Sequence, residues 1–177
     1  MNVKYLIIVA FASILIGCAV PPKATTGPAG TPAHSFGIYL LASTADKPSS
    51  AAASGDLAAL PLAKEPVLSD ADILSYDFAN HTMLVTREAL SRLPKPSVWH
   101  MPFVVVADEQ RIYMGQFSTI LSSSGSSSVP TILVDTAPFT NSLTIYSGYP
   151  PPGVVTDPDP RSDERIWLAL AMLQKLK

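Results

Sequence analysis

The sequence predicts an α+β domain: a largely antiparallel sheet with short helices and a C-terminal amphipathic helix. Strand-like and helical segments follow one another without strict alternation, which disfavours a parallel βαβ arrangement. A hairpin pattern spans residues 102–117, and helical periodicity appears only in short segments and at the end of the chain. The chain of 177 residues is long enough for one domain with its own core.

The predicted domain begins with a strand. Residues 35–42, SFGIYLLA, form a short apolar and aromatic run that is typical of a buried strand. Ser69, followed three residues later by Asp72, resembles a capping box and predicts one helical turn at most.

A strand pair and a short helix are expected next. Residues 73–78 and 81–86 are strand-like, and Asn80 lies in the turn between them. Thr86 is placed to cap a helix that Pro94 ends, because the residue before a proline is disfavoured in helical conformation.

The clearest supersecondary pattern is the hairpin at residues 102–117. Two apolar strands flank a polar turn formed by residues 108–110. Residues 130–135 and 141–149 are expected to form two further strands of the same sheet.

The chain ends in a segment with helical periodicity. Ser162 is the predicted N-cap, Asp163 and Glu164 fall in the first turn, and Lys175 and Lys177 lie at the end of the helix. This distribution of charge complements the helix dipole. Three apolar residues on one stripe and an adjacent tryptophan give the helix a face to bury: Ile166, Leu170, Leu173 and Trp167.

The N-terminus has the pattern of a secretory signal peptide. Lys4 precedes an uncharged apolar run at residues 6–17. The run is shorter than the roughly 20 residues that span a bilayer, and the chain has no second apolar run of that length. The sequence therefore predicts an exported protein.

The residues that follow the apolar run resemble the lipobox of bacterial lipoproteins. Leu15-Ile16-Gly17-Cys18 fits all four positions of that motif, and Cys18 is the only cysteine of the chain. The resemblance implies cleavage after residue 17, a diacylglycerol linked to the Cys18 sulfur, and acylation of the new amino terminus with fatty acids such as palmitate. Two or three acyl chains anchor a protein stably to a membrane. The layout also resembles a family of uncharacterised bacterial lipoproteins, which implies no activity.

The resemblance also bears on localisation in the cell envelope. Retention of lipoproteins in the inner membrane often depends on Asp after the lipidated cysteine, and this chain has Ala19 there. In a cell with two membranes we expect the outer membrane, facing the periplasm. In a cell with one membrane we expect its outer face.

The predicted organisation has three parts. Residues 1–17 form the signal peptide, residues 18–34 a lipidated cysteine with a disordered tether, and residues 35–177 a single domain with a flexible insert at 43–56. The tether is rich in Pro, Gly, Thr and Ala, and a flexible chain of its length has a root-mean-square reach of roughly 20 Å.

The charge of the processed chain disfavours some partners. Removal of residues 1–17 takes away Lys4 and no acid, leaving 11 basic and 14 acidic residues. The charges are spread along the chain without basic clusters, so we expect no nucleic-acid binding and no electrostatic binding to anionic lipid.

Residues 65–121 resemble the first periplasmic domain of the export protein SecD. The matching segments are LSDADILSYDF, HTMLVTREAL and FVVVADEQRIYMGQF. The resemblance rests on the order of turn, strand, capped helix and hairpin, and it implies a similar fold and contact with polypeptide. The multi-span membrane region of SecD has no counterpart here, so a role in proton-driven export does not carry over.

The ionisable residues suggest no metal or cofactor site. His34, His81 and His100 are not at metal-ligand spacing from one another or from a cysteine. Residues 156–164, TDPDPRSDE, are rich in acids, but Arg161 occupies a ligand position of the calcium loop and no glycine follows. We expect no cofactor and no metal.

An envelope hydrolase is the alternative function that the residues leave open. The serine run at 122–128 would be its lid, and acids such as Asp108 and Asp135 would lie near the ends of strands. The run lacks the G-x-S-x-G elbow, and a Gly/Ser tract is too flexible to hold a nucleophile in place. A mobile loop between two strands is the simpler interpretation.

The favoured hypothesis is a non-catalytic, lipid-anchored protein that binds a polypeptide or assembles with envelope proteins. Residues 146–153, YSGYPPPG, combine tyrosines with prolines, a composition found in binding surfaces and also in rigid loops. Five aromatic residues are candidates for an exposed binding surface or for the core: Trp99, Tyr113, Phe117, Tyr146 and Tyr149.

Overall fold

The computed structural model describes residues 34–42, 56–96, 100–123, 125, 127–135 and 140–177, all within one compact unit. The predictions for the signal peptide, Cys18, the tether up to residue 33, most of the insert and Trp99 lie outside the described residues.

Eight strands dominate the structure: β1 Phe36–Leu40, β2 Leu68–Ser69, β3 Ile73–Asp77, β4 Thr82–Val85, β5 Met101–Ala107, β6 Gln110–Ser118, β7 Thr131–Leu133 and β8 Ser142–Tyr146. They form one sheet in the order β2-β1-β5-β6-β7-β8-β4-β3. Neighbouring strands in the described sheet are antiparallel except β6 and β7, so the sheet is mixed. The prediction is confirmed in part: the sheet and the short helices form, but the described helices are few and short, so the fold is mainly β rather than α+β.

The helix that follows β4 forms as the sequence predicts. α1, Arg87–Arg92, begins after Thr86, whose hydroxyl accepts a hydrogen bond from the N–H of Ala89 at 3.2 Å. The predicted capping box also forms: the Asp72 carboxylate accepts a hydrogen bond from the N–H of Ser69 at 2.9 Å, and the Asp72 N–H faces the Ser69 hydroxyl. The hydroxyl in addition donates to the same carboxylate at 2.9 Å. The box supports a single 3-10 turn.

The C-terminal helix α2, Glu164–Met172, is short. It begins one residue later than predicted and ends before Lys175 and Lys177, which were expected at its end and instead pair with the backbone of β3. Its N-cap is Asp163, which accepts a hydrogen bond from the N–H of Arg165 at 2.9 Å. The prediction of Ser162 as the cap is wrong, because that residue belongs to the preceding 3-10 turn, Pro160–Ser162. The Asp163 carboxylate lies beside the free N–H groups of the first turn and takes the capping role that was predicted for the Ser162 hydroxyl.

The hairpin of β5 and β6 is the central feature of the sheet and confirms the prediction. Its turn consists of Asp108 and Glu109, which have φ angles of 46° and 64°. Two residues in left-handed conformation give a turn whose twist matches that of the paired strands. The register brings Ala107 opposite Gln110 and Met101 opposite Phe117.

The pairing of β6 with β7 is parallel. Gln116 lies opposite Thr131 and Ser118 opposite Leu133. A chain that pairs in parallel with the strand it has just left must travel back along the sheet. The chain makes that return between Ser118 and Thr131, in its serine-rich segment.

One face of the sheet packs against α2 and carries the main core. Ile166 and Leu170 are buried against the sheet as predicted, and Leu173 is partly buried beside them. The core includes large, fully buried strand residues: Ile38, Tyr76, Met83, Phe103, Phe117, Ile132, Leu143 and Ile145. Alternate residues of each strand point to this face, as expected for a pleated sheet.

The opposite face has a smaller cluster under the segment that precedes β2. Leu41, Leu60 and Val104 are buried there. Arg111 fixes the covering turn, Leu57–Ala59, because its Nη1 lies 2.7 Å from three carbonyl oxygens of the segment. The Arg111 guanidinium thus satisfies backbone carbonyl groups that have no partner strand in this segment.

Neither edge of the described sheet offers a long free strand for pairing with another chain. β2 has two residues. At the other edge, the N–H of Tyr76 in β3 donates to the carbonyl of Lys175 at 2.7 Å, and the N–H of Lys177 donates to the carbonyl of Tyr76 at 3.0 Å. The tail after α2 therefore covers part of β3, which removes a free edge for association.

Candidate functional site

The structure separates the aromatic residues that the sequence groups together. Phe117 is fully buried and packs against Phe103 with ring centroids 4.9 Å apart. Tyr113 and Tyr149 are also buried, and Tyr146 is partly exposed. The four described members of the set therefore do not share one exposed surface.

Tyr149 instead connects two loops. Its hydroxyl lies 3.1 Å from the carbonyl oxygens of both Ile120 and Ser122 in the serine-rich segment. Its ring contacts His100, with centroids 5.8 Å apart. A Cβ added at Gly125 would come within 2.7 Å of the Tyr149 carbonyl oxygen, so glycine is needed for this close approach.

Further hydrogen bonds fix both loops. The N–H of Val154 donates to the carbonyl of Ser127 at 2.5 Å. The Ser147 hydroxyl donates to the carbonyl of Pro152 at 2.5 Å. On the serine-rich side, the Asp135 carboxylate accepts a hydrogen bond from the N–H of Ile120 at 2.9 Å. Residues 119–129 and 146–156 are thus linked to each other and to the sheet.

The linked loops expose four aliphatic side chains. Ile120 is 61% and Leu121 82% exposed in the first loop, and Val154 is 57% and Val155 62% exposed in the second. We call these four residues the loop surface. Single exposed apolar residues are common, whereas grouped ones mark interaction sites, and each of the two linked loops exposes two such residues in succession.

The sequence interpretation missed the loop surface. It treated residues 122–128 and 146–153 as the regions of interest, and the exposed pairs flank them. The pattern that could have found them is an aliphatic pair in a segment with neither strand nor helix periodicity, as in STILSSS and GVVT.

The strongest electrostatic feature is a buried ion pair. Arg161 binds Asp159 in two places, at 3.0 Å through Nε and 2.6 Å through Nη2, and donates to the carbonyl of Ile145 at 2.8 Å. Although burial opposes it, the hydrogen bonds from Arg161 lower the pKa of Asp159. The pair joins the segment before α2 to β8.

His81 lies beside this pair. Its Nε2 is 3.8 Å from the Asp159 carboxylate, and its ring packs edge-on against Phe78. Burial lowers the pKa of His81, and the positive charge of Arg161 lowers it further. Among the described residues, nothing hydrogen-bonds the buried Nδ1 of His81.

Two tyrosine hydroxyls are buried in the same part of the core as Arg161, Asp159 and His81. Burial raises the pKa of Tyr76 and of Tyr113 well above the ordinary value, so both remain neutral. The hydroxyl of Tyr113 has no hydrogen-bond partner within the described part of the chain. Both tyrosines lie in the core, close enough to Arg161 and Asp159 for the charges of that pair to act on them.

The acids of the hydrolase hypothesis lie far apart. Asp108 is in the turn before β6, where its carboxylate contacts His34 Nδ1 at 2.9 Å and the N–H of Ser35 at 2.8 Å. Asp135 binds Ile120, beyond the other end of β6. A nine-residue strand is roughly 27 Å long, so these two acids cannot act on one substrate atom.

The acidic segment before α2 is engaged in ion pairs. Asp159 binds Arg161, and Asp163 binds Arg165 at 2.8 Å. In the described ranges, no group of three or more His, Cys, Asp or Glu is arranged to hold a metal ion. The described helices include none with the length and apolar character needed to cross a membrane.

Comparison of the chain with protein-family models, with curated proteins and with solved structures gives no match.

Proposed function

We propose that the protein is a lipid-anchored, non-catalytic binding module of the bacterial cell envelope. Cys18 holds it to the membrane, and Ala19 favours the outer membrane, facing the periplasm, in a cell with two membranes. In a cell with one membrane the domain faces outward from that membrane. The domain binds an envelope polypeptide through the loop surface.

The single observation that carries the binding role is the exposure of the loop surface on loops that are held in place. Leu121 is 82% exposed, although the carbonyl oxygens of both its neighbours lie 3.1 Å from the buried Tyr149 hydroxyl and share its single hydrogen. An exposed apolar side chain on an ordered backbone loses little entropy when it binds. This supports a preformed docking surface.

The composition of the two loops supports a polypeptide partner. Residues 119–129 and 146–156 contain no Asp, Glu, Lys or Arg. The cores of protein–protein interfaces are depleted of charged residues, whereas nucleic-acid sites are rich in cations. The resemblance of residues 65–121 to a periplasmic export domain points the same way.

Site-specific photo-cross-linking in living cells tests the proposal. A photoreactive amino acid replaces Leu121 in the full-length chain, and the matched control carries it at Leu74, which is 53% exposed on β3. We expect defined adducts with envelope polypeptides from position 121 and not from position 74. A second change, Val155→Asp, should weaken these adducts at least several-fold.

The anchor is tested in the same experiment. Cys18→Ala should abolish the adducts, because the chain would no longer accumulate at the membrane where its partner lies. Equal adducts from both positions, or none from position 121 in an anchored chain, would contradict the binding role of the loop surface.

A further inference from the structure

α2 has an apolar outer face in addition to the face that packs on the sheet. Trp167 and Leu168 are each 45% exposed, and Met172 is 58% exposed. These three residues are called the outer face of α2. A surface helix normally presents polar and charged side chains on the side opposite the core. Here that side carries a tryptophan, a leucine and a methionine, which the described residues leave partly uncovered, together with the exposed Glu164 and Arg165 of the first turn.

The first turn of α2 lies beside the place where the N-terminal part of the chain joins the domain. Asp108 holds His34 and Ser35 through contacts of 2.9 Å and 2.8 Å. Gln110, two residues further along, accepts a hydrogen bond from Arg165 in α2 at 3.2 Å. A membrane anchor upstream of His34 is therefore attached to the domain close to α2.

The size of the outer face distinguishes between two possible occupants. The exposed parts of its three side chains amount to about 300 Å², whereas a stable dimer buries about 800 Å² on each partner. A second copy of the chain would need much more surface. A membrane-associated helix needs less, because an existing anchor already keeps the bilayer close.

We propose that the outer face of α2 lies in the headgroup region of the membrane that holds the anchor. The inference rests on the proposed lipidation of Cys18. Tryptophan is favoured at the boundary between headgroups and acyl chains, and leucine and methionine provide apolar area on the same side. Contact through α2 orients the domain on the membrane, so that the lipid and the helix act together.

The fluorescence of Trp167 reports this contact directly. The chain has two tryptophans, so Trp99→Phe in the full-length acylated protein leaves Trp167 as the only indole. The protein is reconstituted into vesicles of phosphatidylethanolamine and phosphatidylglycerol, with and without brominated acyl chains. We expect a blue-shifted emission and at least twofold quenching by bromine. Emission that is unshifted and unquenched would overturn the inference.

Matched variants separate membrane contact from other causes. Met172→Asp should reduce the quenching of Trp167 several-fold, whereas Leu74→Asp, an equivalent change on β3, should leave it unchanged. If Trp99→Phe prevents folding, Met172→Cys labelled with a polarity-sensitive dye gives the same measurement, because acylated Cys18 has no free thiol. Concentration-dependent shielding of Trp167 without bromine quenching would indicate a second copy and overturn the proposal.

Failure of the anchor and failure of the helix contact are distinguishable. The mass of the reconstituted protein shows whether Cys18 carries lipid. The Cys18→Ser chain, with a hexahistidine sequence in place of residues 1–17, is then bound to vesicles that contain a nickel-chelating lipid. If the mass shows that Cys18 carries no lipid, quenching of Trp167 in this tethered sample supports the role of α2, and absence of quenching in it overturns that role.

Discussion

At the scale of single residues, Arg161 and Arg165 form a natural comparison. Each binds the carboxylate two residues before it through Nε and Nη2, in Asp159-x-Arg161 and Asp163-x-Arg165. The Arg161 side chain is 9% exposed and the Arg165 side chain 45% exposed. The same local motif thus occurs once in the core and once at the surface.

The two pairs should differ strongly in their effect on stability. Arg161→Met leaves Asp159 without its cation and the carbonyl of Ile145 without its donor, so we expect the free energy of unfolding to fall by about 3 kcal/mol. Arg165→Met removes an exposed pair and should cost less than about 1 kcal/mol. Urea denaturation of both variants measures the difference. Equal losses would show that burial of Arg161 does not matter.

The lowered pKa of His81 gives a pH dependence with a definite sign. Burial and the charge of Arg161 disfavour the protonated form in the folded protein, with Asp159 and Asp77 acting in the opposite direction. The unfolded chain therefore binds more protons below a pH of about 6.5. Stability contributed by neutral His81 is present above that pH and is lost as the pH falls towards 5.

The measurement is the free energy of unfolding between pH 7 and 5, for the wild type and His81→Asn. Asparagine tolerates the left-handed conformation of residue 81, which has a φ of 49°. We expect the variant to lose less stability on acidification than the wild type. Parallel curves would mean that His81 does not titrate differently in the folded and unfolded states.

The types and spacing of these residues are visible in the sequence, but their burial and their contacts are not. DPRSDER contains both Asp-x-Arg motifs in equal form, and only packing on β8 places the first in the core. Tyr149 was grouped with other aromatic residues by composition. Its role in joining two loops depends on the return of the chain to β7, which no local pattern encodes.

At the scale of secondary-structure elements, the tail after α2 covers the edge of β3. The backbone of Tyr76 pairs with Lys175 and Lys177, and Leu176 packs against the core. Deletion of residues 175–177 should speed amide hydrogen exchange at Tyr76 at least tenfold and promote association through the free edge. Hydrogen exchange followed by mass spectrometry and light scattering measure the two effects.

Leu176→Ala is the control for this deletion. It removes packing but retains the backbone hydrogen bonds of the tail, so the free energy of unfolding should fall while the light scattering stays the same as that of the wild type. If the deletion left exchange at Tyr76 unchanged, the tail would not protect the edge.

Elements with local determinants were predictable, and those that depend on distant contacts were not. The β5–β6 hairpin, the Thr86 cap and the Ser69 capping box all form as expected, because each is specified within a few residues. The parallel pairing of β7 was not anticipated, since its partner is chosen by the packing of the whole sheet. The N-cap of α2 was misplaced by one residue because Ser162 and Asp163 are both good caps.

At the scale of the whole molecule, the proposed anchor and part of the proposed binding surface lie at opposite ends of β6. Asp108, which holds His34 and Ser35, precedes β6, and Ile120 and Leu121 follow it. The strand separates these places by roughly 27 Å. The proposed anchor is therefore attached at one end of β6, and part of the loop surface projects beyond the other end.

The central claim is that Cys18 carries the membrane anchor on which both the binding role and the α2 contact rely. Mass spectrometry of the N-terminal peptide, from full-length protein purified out of a bacterial envelope fraction, tests it most directly. We predict a peptide that begins at Cys18 and has the mass of a thioether-linked diacylglycerol, and no such species in Cys18→Ala. A chain from the same fraction that begins elsewhere, or has an unmodified Cys18, would contradict the account.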